Sequence, residues 1–320
     1  MPLQLRATNL PLDQIDLSDE TFALTMAGMP ETDAALEASI AKNDILHPPI
    51  VQKKATSSYR VVAGRKRLRT ITPTRSSCEC LVLAANTGPA ETLAAAYEET
   101  RISRHPTPVE KAIFLNKGLR WLDEEQIVKR FLPMLGIKPN LMQLKHYLKL
   151  LEIEEPLLLA VHAGNLDETV ARELGKLPFG DRIALFDLID LLALSVSNQK
   201  KLVAGCRELA KRDDTSIINI LDDQKLRAIL SHDASNSPQK TGHLMTWLTE
   251  LRSPRLHEAE KEFRTFRNKL NLPKGVELQH VQSFEKDSVT LKIELPNRYQ
   301  LERIWPSLRE TLSSNDKKDQ

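Results

Sequence analysis

The stretch "YRVVAGRKRLRT", residues 59–70, holds the densest set of charges that could do chemistry. An apolar run ends in Gly64, and Arg65, Lys66, Arg67 and Arg69 follow at once. Between Tyr59 and Arg75 there are six basic residues and no acidic one. A strand that ends in Gly and passes into a helix turns backbone N–H groups outward, where the partial positive charge of the helix end also sits. Arginine and lysine placed there meet phosphate as bidentate or point-charge partners. A solvated basic face is the alternative. Surface helices commonly interleave signs, so the imbalance points to anion binding.

A second candidate is "EETRISRHPTPVEKA", residues 98–112. Glu98 and Glu99 are expected at a helix end, where the dipole disfavours them unless a cation or metal is near. Arg101 and Arg104 follow. Carboxylates beside arginines at an irregular junction suit Mg²⁺ and a phosphate chain. The alternative is an interdomain hinge with exposed ion pairs, each worth under about 1 kcal/mol. A third candidate, residues 123–153, reads helix, tight connection at Gly136, helix. Asn140 and Gln143 form an N-cap and N3 pair. Leu141, Leu144, Leu148 and Leu151 make an inner stripe, so Gln143, Lys145, His146 and Lys149 project outward. No acid lies between Gly136 and Leu151. That is the face of a recognition helix for base edges and phosphates, with an ordinary helical hairpin as the alternative.

These segments need elements to hold them. Residues 1–106 mix strand and helix signals. "LPLDQIDL", "TFALTM", "HPPIVQKK", "SYRVVAG" and "ECLVLAA" read as strands; "TDAALEASIAKND" and "AETLAAAYEE" read as helices. Thr32 is the expected N-cap of the first helix, and Asn43-Asp44 its left-handed exit. From Pro108 to Asp223 the pattern is helical, opening on a capping box of Thr107 and Glu110 with Pro108 at the first helical position. Residues 231–242 are polar and read as a linker. Beyond them Pro254 restarts a helix, Val289, Leu291, Ile293 and Leu295 share one face of a hairpin, and a last helix covers roughly 297–312.

With 320 residues the chain is long enough for two or three domains. It is 41% hydrophobic, 28% charged and carries 11 Gly, the composition of a mostly helical globular protein. The net charge of +2 makes no whole-chain case for nucleic acid, so that case is local. Three cysteines, Cys78, Cys80 and Cys206, are too few and too odd for a disulfide framework; Cys78 and Cys80 would share one strand face as reduced thiols. The eight His show no metal-ligand spacing. No basic–apolar–small pattern opens the chain and no apolar run approaches membrane-spanning length. The expectation is a cytoplasmic protein with no membrane partner. No Gly-x-Ser-x-Gly or Walker-type loop is present, and no catalytic residue is assigned.

The order "LEASIAKNDILHPPIV", "YRVVAGRKRLRT", "EETRISRHPTPVEKA" and then a helix–turn–helix resembles the ParB partition-protein family over roughly residues 10–225. The matching positions are Asp44, His47 and Pro48 for the family's first motif. Gly64 to Thr70 match its phosphate motif, and Glu99, Thr100 and Arg104 its third. The resemblance implies an α+β N-terminal domain of ParB/sulfiredoxin-like fold over 1–106, then an all-α domain with the helix–turn–helix over 107–230. A linker follows at 231–242, then a small C-terminal α/β unit over 243–312 for self-association or partner binding, and a disordered tail over 313–320. It implies CTP with Mg²⁺: Gly64, Arg65, Lys66, Arg67, Arg69, Thr100 and Arg104 on nucleotide and phosphate, and Glu99 on metal. It implies DNA beneath Gln143, Lys145, His146 and Lys149, a nucleoid-associated homodimer closed as a clamp by nucleotide, and a partner ATPase. Arg65 stands where the family has Glu, and Thr100 where it has a metal-holding Asn. Both departures favour holding anion charge over managing a metal, so any CTPase activity would be weak. Sulfiredoxin chemistry is excluded, since no Cys lies between Gly64 and Thr70. Two other functions compete: a nucleotide hydrolase, nuclease or kinase with Glu98 or Glu99 as metal ligand, and a helix–turn–helix transcription regulator without nucleotide.

Overall fold

The computed structural model describes residues 3–26, 28–29, 33–54, 57–232, 235–270, 272–273, 275–280 and 288–313. Thr32 and residues 314–320 of the expected tail lie outside the described residues. About 58% of the chain is helical, with a mixed sheet near its start, so the expected α+β domain followed by helices is what the chain forms. Two compact units divide it, residues 1–203 and 204–320.

The first unit opens with a five-stranded sheet in the order β1-β5-β3-β4-β2. Its strands are β1 (Leu5–Pro11), β2 (Ile15–Asp16), β3 (Ile50–Lys53), β4 (Tyr59–Ala63) and β5 (Ser77–Leu83). β5 pairs with β1 antiparallel and with β3 parallel, β3 with β4 antiparallel, and β4 with β2 parallel. Two helices, α1 (Ala34–Asn43) and α2 (Arg65–Ile71), close over one face. Ile40, Leu68 and Ile71 pack there with Val51, Val61, Cys78 and Cys80. α3 (Pro89–Ser103) packs against β4. Cys78 and Cys80 are buried free thiols, as the strand alternation required.

Three sequence expectations need correction here. "TFALTM" is an irregular loop, not a strand: Phe22 and Leu24 are buried, but residues 21–26 pair with no strand among the described residues. β1 starts at Leu5, before the first apolar run that had been read, because its partner β5 supplies the pairing over seven positions. α3 carries on to Ser103, so Glu98 and Glu99 lie inside it rather than at its end.

Helices then follow in close order: α4 (Pro108–Gly118), α5 (Glu124–Met134), α6 (Leu141–Leu150), α7 (Glu155–Ala163), α8 (Glu168–Leu174), α9 (Phe179–Leu191) and α10 (Val196–Arg212). The Thr107–Glu110 capping box is present with Pro108 at the helix start. Tilted aromatic pairs tie α3, α4 and α5 together: Tyr97 to Phe114 at 4.6 Å and Phe114 to Phe131 at 4.5 Å between ring centres. α5 passes through Pro133 and stops one residue later, at Met134. Asn140 caps α6 through Met142 N–H at 2.7 Å, without a reciprocal bond from Gln143. The buried stripe of α6 is Leu144, Tyr147 and Leu150, while Leu141 at the first turn is exposed. The leucine pattern hid the part that Tyr147 plays in the core.

In the second unit α11 (Ile217–Leu221), α12 (Gln224–Ser231), α13 (Ser237–Arg252) and α14 (Pro254–Lys269) precede a two-stranded antiparallel sheet of β6 (Val276–His280) and β7 (Val289–Ile293), and then α15 (Arg298–Ser313). The stretch expected as a linker is helical from Ser237 onward, because Asn236 and Gln239 form a capping box that its polar composition concealed. Leu244, Trp247 and Leu248 form the buried side of α13, and Pro254 starts α14 as expected.

Candidate functional site

A cavity of about 700 Å³ lies in the first unit. Gly64, Arg65, Lys66, Arg67, Arg69, Glu99, Thr100 and Arg104 line it, whereas Glu98, the alternative metal ligand, does not and pairs with Arg101. α3 contributes Ala96, Glu99, Thr100 and Ser103, the spacing of one helix face. Asp44 and His47, just past α1, line it too. The residues that sequence reasoning missed are Phe22, Leu24 and Met26, the apolar wall supplied by the loop misread as a strand.

Gly64 sits at the turn into α2 with φ of +88°. A Cβ there would stand 3.0 Å from Pro49 Cα and 2.9 Å from Arg67 Nη2. Only glycine accepts that backbone without strain, and it lets β4 pass close to the chain entering β3. α2 has only seven residues, so its dipole is weak and the side-chain charges dominate.

Those charges are unequally committed. Arg67 donates to the His47 carbonyl and forms an ion pair with Glu99. Arg104 grips Glu110 with both guanidinium nitrogens, one bond measuring 2.7 Å. Glu110 is 1% exposed. Burial alone would push its carboxyl up, but Arg104 and the Thr107 N–H outweigh it and hold the group below the usual carboxylate value. Thr107 Oγ also meets His162 Nδ1 at 3.0 Å. Thr100 Oγ donates to the Ala96 carbonyl at 3.0 Å. Asp44, with φ of 60°, pairs with Arg75 at 2.7 Å, which lowers its carboxyl. Arg65 lines the cavity, yet its guanidinium donates to the carbonyls of Leu17 and Asp19. Among the described residues the Lys66 ammonium has no hydrogen-bond or ion-pair partner, though the Lys66 carbonyl accepts from Thr70 Oγ at 3.0 Å.

The cavity has the volume for a nucleotide, since ligand clefts commonly span about 300–1,000 Å³, and it brings five Arg and Lys side chains to its wall beside five carboxylates. It suits a metal less well. Glu99 already faces Arg67, and among the described residues no group of three or more His, Cys, Asp or Glu is placed to hold an ion. A Mg²⁺ ion here would have one protein carboxylate and would take its other oxygens from phosphate and water.

On α6 the side chains of Lys145, His146 and Lys149 are exposed, and Gln143 is half-exposed. None of the four lines the cavity. Among the described residues no helix is long and apolar enough to cross a membrane.

No family model matches the chain, and no curated protein matches it. Solved structures to which it is similar are ParB chromosome-partitioning proteins and ParB-N domains. One is the C-terminally truncated chromosome-partitioning protein ParB from Caulobacter crescentus complexed to the centromeric parS site, at 17% identity, covering 62% of this chain and 98% of that one, with a TM-score of 0.36. Another is that protein complexed with CTP-gamma-S, at 16% identity over 57% of this chain and 98% of that one, with a TM-score of 0.26. A third is a Pnob8-like ParB-N domain, at 13% identity over 79% of this chain and 100% of that one, with a TM-score of 0.36.

Proposed function

We propose that this chain is a ParB-like DNA-binding protein acting in chromosome or plasmid partition, with CTP held in the cavity of its first unit. The observation that carries the reading is the convergence of residues 44–47, 64–69 and 99–104 on one cavity. Lys66 and Arg69 take phosphate, with Gly64 permitting close approach of the backbone. Arg67, Arg104 and Thr100 join them as the nucleotide enters, and Glu99 turns from Arg67 toward Mg²⁺. Gln143, Lys145, His146 and Lys149 face DNA from the second helix of a helix–turn–helix. The chain works as a homodimer, with residues 243–312 serving self-association, and acts with a partner ATPase. A nucleotide-free transcription regulator is the second reading, favoured by the carboxylate partners that Arg67 and Arg104 already have.

A thermal-shift panel of CTP, ATP, GTP and UTP, with and without Mg²⁺, separates the two. A ligand at 100 times its Kd stabilises the folded state by about 2.7 kcal/mol. CTP should therefore raise the melting temperature by several degrees. No shift with any nucleotide would leave the regulator.

A further inference from the structure

Arg65 belongs to the basic run, but its side chain is spent on the protein. Both of its terminal nitrogens donate to backbone carbonyls of one loop, those of Leu17 and Asp19. Two more cations converge on the same loop from other elements. Lys54, just after β3, pairs with Asp16 at 2.9 Å and with Asp19 at 3.0 Å. Lys117 of α4 donates to the Glu20 carbonyl. The loop is also tied within itself: Asp16 accepts the Ser18 hydroxyl at 2.6 Å and the Ser18 N–H at 3.0 Å. The chain then buries Phe22, whose ring lies 5.8 Å from that of Trp121 on one side and 5.8 Å from the Arg60 guanidinium on another. Directly after this anchor it becomes the apolar wall of the cavity, at Leu24 and Met26.

This arrangement answers a question of bonding. The carbonyls of Leu17 and Asp19 belong to no sheet ladder, and both residues are half-buried, where carbonyls need donors. Arg65 serves both at once because its fork presents parallel N–H groups. A guanidinium held this way has both terminal nitrogens turned to the loop, so a bidentate grip on phosphate through them requires letting the loop go.

We propose that Arg65 is a positioning residue that straps residues 17–20 to α2, so that residues 22–26 stand as the cavity wall, and that it is not itself a phosphate ligand. The identity of the ligand rests on the nucleotide reading above; the strap does not.

Two measurements on the full chain test it. The first is hydrogen exchange of the 17–26 amides in the absence of nucleotide. Arg65→Ala should speed exchange there by about tenfold while the amides of β3 and β5 keep their rates. Arg65→Lys, able to serve one carbonyl but not to fork across two, should fall between, and it stands in if the alanine variant fails to fold. Lys66→Ala should leave exchange unchanged. The second is calorimetric binding of inorganic tripolyphosphate and of CTP. Arg65→Ala should keep tripolyphosphate affinity within about twofold while CTP weakens by about tenfold; Lys66→Ala should weaken both. Unchanged exchange over 17–26 in Arg65→Ala, or equal loss of tripolyphosphate and CTP, overturns the proposal. Wild-type protein that binds neither ligand sinks the nucleotide reading, and the exchange result still decides the strap.

Discussion

Two stretches of this chain carry basic residues without acids among them, residues 64–70 and 136–151, and folding treats them in opposite ways. On α2, Arg65 is bonded to a loop and Arg67 to Glu99. On α6, Lys145, His146 and Lys149 reach solvent, and among the described residues their side chains have no hydrogen-bond or ion-pair partner. A committed cation is an expensive phosphate ligand, because its partner must be released and left without its counter-charge. A solvated lysine carries no such cost, and its phosphate contact gains chiefly from counterion release. On the reading proposed above, the first stretch serves a defined ligand in a cavity and the second a long polyanion that any extended basic face can meet.

The largest expected effect breaks the committed region. Glu110→Gln removes the buried carboxylate that holds Arg104 and the Thr107 cap. Because Arg104 is half exposed, the loss falls below that of a fully buried pair, at about 2–3 kcal/mol by urea unfolding. A change below about 0.5 kcal/mol would mean that Glu110 does not brace the cavity. Gly64→Ala comes next. It forces alanine into left-handed backbone beside Pro49 and should cost about 1–2 kcal/mol, together with nucleotide affinity. Lys145→Ala and Lys149→Ala sharpen the other side of the comparison. Each should leave stability within about 0.5 kcal/mol and lower the salt slope of DNA binding by about 0.9. An unchanged slope would remove α6 from the DNA interface.

Much of the cavity could be read before the fold, because the signals were local. A glycine before a basic run, a proline-started capping box at Thr107 and an acid–arginine cluster are all short-range statements, and from them Gly64, Glu110, Glu99 and Arg104 line the cavity. What could not be read was tertiary. Only the folded chain shows Arg65 reaching across 48 positions to Leu17, or Arg67 reaching Glu99. The wall at Phe22–Met26 looked like a strand because its apolar residues are buried, and burial alone does not tell a strand from a packed loop. Tyr147 was overlooked in α6 because four leucines already seemed to make a stripe. The helix starting at Ser237 was hidden by polar residues that serve as its cap.

The central claim is that the cavity of the first unit holds a nucleotide, with Lys66 and Arg69 on its phosphates. Calorimetric titration of CTP with Mg²⁺ into the wild-type chain and into a Lys66→Ala, Arg69→Ala double variant tests it most directly. The account predicts saturable binding at one site per chain in the wild type and its loss in the variant. Absence of binding heat in the wild type, or equal binding by both proteins, would contradict it.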